Sequence, residues 1–86
     1  MQLKMLTADE ARLIEYGTDR PGSDSFSFNM AQPDPRACQS VCLADQDCRA
    51  WAFVRPGVQG TLARCWVKSA VPAPQNNFCC VAGVKQ

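Results

Sequence analysis

The residues best able to do chemistry in this chain are its cysteines. Six of them occur within 86 residues, in the order Cys38-x3-Cys42-x5-Cys48-x16-Cys65-x13-Cys79-Cys80, and there is no histidine. An even count this dense in so short a chain reads as a disulfide framework made in an oxidising compartment. Without histidine the commonest general base, the Ser-His and Cys-His nucleophile pairs and every Cys2His2 zinc arrangement are excluded. Four of the thiolates could in principle hold zinc. Only Cys38-x3-Cys42 has the close spacing of a zinc knuckle, however, and adjacent Cys79 and Cys80 are poorly placed to ligate one ion together.

Other reactive patterns fail on inspection. Ser25, Ser27 and Ser40 have no base partner, and Gly57-x2-Gly60 lacks the Lys-Ser that completes a phosphate loop. Asp45 and Asp47 offer too few oxygens at regular spacing for calcium. Asn29 is followed by Met30 and Ala31, outside the glycosylation pattern. No catalytic residue, metal ligand or cofactor is assigned, and the expectation is a chain that is not an enzyme.

Composition fits a small stapled domain. Eighty-six residues make one unit, near the lower limit at which a core alone stabilises a fold, and 47% hydrophobic content is ordinary for a globular chain. Nine basic and eight acidic residues are scattered, for a net charge of +1. Neither a basic stripe for nucleic acid nor a polybasic cluster for anionic lipid is present. No stretch approaches the roughly 20 apolar residues of a membrane span. Met1-Gln2-Leu3-Lys4 lacks the apolar core of a signal peptide, so the expectation is a piece of a longer exported precursor, with Met1 an added start.

The elements that position the cysteines are short. Thr7 with Glu10 fits a capping box for a helix through Ala11, but a strand from residue 12 (Arg12-Leu13-Ile14-Glu15-Tyr16) after a poorly ordered tail at 1–11 is the preferred reading. Turn formers crowd residues 17–24, and Ser25-Phe26-Ser27-Phe28 alternates like a strand. A helix opens at Asp34-Pro35, where Asp34 can cap a free amide and Pro35 needs no donor, and runs to Ala44. Cys38, Val41 and Cys42 share one stripe of it. One turn apart, the two thiols suit clamping two other segments better than bonding each other. Residues 49–54 and 63–68 read as an antiparallel hairpin around the turn-rich loop 55–60. Beyond the proline-rich Val71-Pro72-Ala73-Pro74, a last strand covers Phe78 to Val84.

Three blocks of this sequence resemble a known superfamily: Cys38-x3-Cys42-x5-Cys48-Arg49-Ala50-Trp51, then Cys65-Trp66-Val67-Lys68-Ser69, then Cys79-Cys80-Val81-x-Gly83-Val84. Together they look like the PAN/apple domains, closest to the short version in exported bacterial proteins, and Glu15-x2-Thr18-Asp19-Arg20-Pro21-Gly22-Ser23-Asp24 fits the same pattern. The resemblance spans residues 12 to 84. It implies an α+β domain with one helix on an antiparallel sheet of about five strands, and disulfides tying helix to sheet. It also implies extracellular recognition of protein or carbohydrate without catalysis. Many apple domains add a bridge between their ends, which this chain, with no cysteine before Cys38, cannot make.

With the family as guide, Cys42 is expected to pair with Cys48 and Cys38 with Cys65. Cys79 and Cys80 are left as a vicinal disulfide, as free thiols, or as members of a reshuffled set. If Cys48 and Cys65 point at the helix, period-two alternation puts Ala50, Ala52, Val54, Ala63 and Val67 on that side. Arg49, Trp51, Phe53, Arg64, Trp66 and Lys68 then share the opposite face. They would form either a recognition platform of indoles and cations, or a second small core under loops 17–24 and 55–62. Asp19, Arg20 and Asp24 are turn caps or ion pairs, or else ligand contacts.

The resulting expectation is a monomeric, non-catalytic module at residues 12–86. It would bind protein or glycan outside the cytoplasm, secreted, periplasmic or at the cell surface, with protein the preferred partner. A thiol-redox or metal-responsive element at Cys79-Cys80, and a structural spacer, are the alternatives.

Overall fold

The computed structural model describes residues 14–85. The expected tail at 1–11, and residues 12 and 13 of the expected first strand, lie outside the described residues. Among the described residues, one helix packs on a five-stranded antiparallel sheet. The strands are β1 (Ile14–Asp19), β2 (Asp24–Met30), β3 (Ala50–Val54), β4 (Ala63–Lys68) and β5 (Gln75–Val84), and helix α1 (Pro35–Ala44) lies between β2 and β3 in the chain. Their order across the sheet is β1-β5-β3-β4-β2. Strand β5 begins at Gln75, three residues before the expected start at Phe78, because its first residues pair with the end of β1.

Local chemistry explains the helix ends. An Asp34 side-chain oxygen accepts the Arg36 amide at 2.9 Å, and Pro35 follows at the first helical position. At the other end the Asp45 amide closes on the Cys42 carbonyl at 3.1 Å, and the Asp45 carboxylate accepts the Asp47 amide at 2.8 Å. That turn folds the chain back so that Cys48 meets Cys42. Cys38 and Cys42, on the inward stripe of the helix, are fully buried.

Strands β1 and β2, consecutive in sequence, are the two edges of the sheet. Five residue steps from Asp19 to Asp24 reach at most about 18 Å. Four inter-strand spacings of a flat sheet would be about 19 Å. The sheet therefore has to curl toward the side that this link crosses, the side away from α1. Gly22 (φ +104°) and Ser23 (φ +58°) take the left-handed conformations that turn the chain into β2.

Candidate functional site

Register assigns side chains to faces. Cys65 is bonded to Cys38 of α1, so the face of β4 carrying Ala63, Cys65 and Val67 meets the helix. Opposite those residues on β3 stand Phe53, paired with Cys65, and Trp51, paired with Val67. Directly paired residues share a face. Trp51 and Phe53, 1% and 2% exposed, are therefore the largest side chains of the helix-facing core, with Met30, Val81 and the four cysteines 38, 42, 48 and 65 around them. This corrects the grouping of Arg49, Trp51, Phe53, Arg64, Trp66 and Lys68 on one face. Ala50, Ala52 and Val54 move correspondingly to the face away from the helix. The cause is local: Cys48 precedes β3, separated from it by the non-strand residue Arg49, so alternation counted from Cys48 arrives one residue out of phase. Arg49 is exposed, its amide donating to the Lys68 carbonyl at 2.7 Å.

Arg64, Trp66 and Lys68 do lie together on the face away from α1. Arg64 forks onto the Ser27 hydroxyl (3.0 and 2.7 Å) and the Asn29 side-chain oxygen (2.8 Å) of β2, and its guanidinium stands 5.3 Å from the Trp66 ring centre. Trp66 is half-buried, and its indole N–H donates to Gln59 of the β3–β4 loop at 2.9 Å. Lys68 is only 2% exposed; its ammonium meets the Asp24 carboxylate and the Gly22 carbonyl. A buried ammonium without such partners would be strongly disfavoured.

The link from β1 to β2 closes the far side. Arg20 donates two bonds of 2.8 Å to the Glu15 carboxylate and one of 2.7 Å to the Pro72 carbonyl. Bonding to that carboxylate raises the Arg20 pKa above its ordinary value. This pinned link and the Gln59 loop leave between them a cleft of about 210 Å³. Its floor is the small side chains Ala52 and Val54, and its walls include Trp66, Asp19 and Asp24. One cation (Lys68) and two carboxylates (Asp19 and Asp24) line it, so its balance is acidic. Of these, Asp19 and Asp24 stood out in the turn-rich run; Gln59, in the loop between Gly57 and Gly60, carried no signal.

The third disulfide joins Cys79 and Cys80 in β5. Both sulfurs lie within 4.8 Å of an Asp19 carboxylate oxygen. Bonded to each other they are not thiolates, so this trio holds no soft metal in the oxidised protein.

Residues 18–68 match the family model described as PAN domain. Neither curated proteins nor solved structures gave a match.

Proposed function

Because the chain belongs to the PAN domain family, whose members are generally non-catalytic binding modules, we propose that it is a recognition module acting outside the cytoplasm within a larger exported protein. Its ligand site is the cleft beneath Trp66, and its ligand is a protein segment. The observation that carries this reading is the indole left half-open above a floor of alanine and valine, ringed by Asp19, Asp24, Gln59 and Lys68. An aromatic wall anchors an apolar side chain, and carboxylates in excess of cations accept donors from the same segment. Three disulfides hold the scaffold, which lowers the ordering cost of binding.

Selection of a displayed peptide library on the oxidised protein tests it. Peptides are expected that bind the wild type, lose at least about tenfold in affinity (~1.4 kcal/mol) on Trp66→Ala, and show an excess of basic residues. Peptides that bind both proteins equally would refute the cleft.

The bond between adjacent Cys79 and Cys80, with Cys79 only half-buried, supports a second reading, a thiol switch. An external dithiol would pass two electrons and two protons to the bond, yielding two thiols and its own disulfide. Cys79 is half-buried and Cys80 fully buried, so attack has to start at Cys79. Selective reduction of this pair by mild dithiol, trapped by alkylation with iodoacetamide while the other four cysteines stay bonded, is the result the switch requires; simultaneous reduction of all six would remove it.

A further inference from the structure

A second recess lies at the β1–β5 ribbon, sharing no lining residue with the cleft. Between the pairs Tyr16–Val81 and Thr18–Asn76, the single residue Gly17 of β1 faces four residues of β5, Asn77 to Cys80. The extra residues form a wide bulge, and bulges re-aim side chains. Here the side chain re-aimed is Phe78, 92% exposed and the most exposed large apolar residue described.

The bulge is held from several directions. The Arg55 amide donates to the Cys79 carbonyl and its guanidinium to the Phe78 carbonyl, both at 2.8 Å. The Asn77 side-chain oxygen accepts the Cys79 amide at 3.0 Å, and the bond between Cys79 and Cys80 closes the chain on itself. A phenyl ring is thus presented to water on a fixed backbone, where a structural role would have buried it. Beside it is a recess of about 350 Å³ lined by Gly17, Asn76, Asn77 and Phe78, within the roughly 300–1,000 Å³ of small-molecule sites.

The geometry points to this recess as a binding site for a neutral sugar ring. The lining contains no ionisable side chain. Carboxamides of Asn76 and Asn77 carry donor and acceptor side by side, matching a hydroxyl that does both; the Asn77 oxygen is engaged by Cys79 and leaves its amino group to donate. An exposed aromatic face stacks on the C–H face of a pyranose. Gly17, with open space where a side chain would begin, keeps the floor low enough for a flat ring. An anionic glycan would find no cation in the lining.

The test is a two-dimensional amide NMR titration of the full oxidised chain with the methyl glycosides of glucose, galactose, mannose and N-acetylglucosamine, and with glucuronic acid as anionic control. At least one neutral sugar is expected to bind with a Kd on the order of 1 mM, shifting the amides of Gly17 and residues 76–78. Phe78→Ala should weaken it at least about tenfold with an unchanged melting temperature, and Trp66→Ala should leave it intact. No shift with any neutral sugar overturns the proposal. So does a shift confined to the Trp66 cleft, a lowered melting temperature in Phe78→Ala, or a concentration-dependent dimer that Phe78→Ala abolishes, the last marking a protein contact. Because Trp66→Ala and Phe78→Ala report on separate sites, failure here is distinguishable from failure of the peptide cleft.

Discussion

The two faces of the sheet solve burial in opposite ways. Toward α1 the sheet presents Trp51, Phe53, Val67 and Val81, locked by Cys38–Cys65 and by Cys42–Cys48 at the helix end. On the other side its centre carries Ala50, Ala52, Val54 and Ala82, covered by a link pinned through Arg20 and by the buried stem of Lys68. One ten-residue helix can bury one face. The other, with no second layer among the described residues, uses small side chains and ion-paired long ones, whose methylene stems cover apolar surface while their charges find partners. Such cover is incomplete, and the gap is the Trp66 cleft. The proposed recognition site is the gap that the described residues leave on this second face.

The contrast predicts graded responses. Phe53→Ala or Trp51→Ala should cost about 3–5 kcal/mol, enough to unfold much of the protein, because each leaves a cavity in a core without slack; chemical denaturation measures it. A loss below about 1 kcal/mol would break the assignment of these rings to the helix face. Replacing Cys38 and Cys65 together by serine reopens a 27-residue separation and should cost about 3–4 kcal/mol by the chain-entropy model, read from the shift in the denaturation midpoint. On the second face, Asp24→Asn should cost about 1–3 kcal/mol by weakening a charged bond to buried Lys68, with a lower melting temperature as the readout. Trp66→Ala should cost less than either core ring, because only part of the indole is buried. Phe78→Ala should fall within about 0.5 kcal/mol of wild type. If Trp66→Ala proved as damaging as Phe53→Ala, the second face would be a core like the first and the cleft would lose its role.

Much of this was legible without coordinates. The Asp34 cap, Pro35 and the Cys38/Cys42 stripe specify α1 through contacts a few residues long, and cysteine content with absent histidine excluded the common acid–base chemistry. Turn formers at 17–24 marked the link that walls the cleft, though not that it crosses the sheet. The grouping of side chains by face was half legible: Arg64, Trp66 and Lys68 share a face because they belong to one uninterrupted strand, where alternation holds from residue to residue.

Phase between elements was left to the tertiary structure. Trp51 and Phe53 went to the helix side because Cys48 stands outside β3, and only cross-strand pairing with Cys65 and Val67 sets the phase of that strand. The placement of β1 and β2 at opposite edges, and the four-residue bulge facing Gly17, are likewise settled by hydrogen bonding between segments far apart in the chain. Short-range signals determine which residues make helix, turn and strand. Which face each strand turns inward, and so which aromatic ring becomes core and which stays available to a ligand, depends on register between distant strands, and no local pattern carries that information.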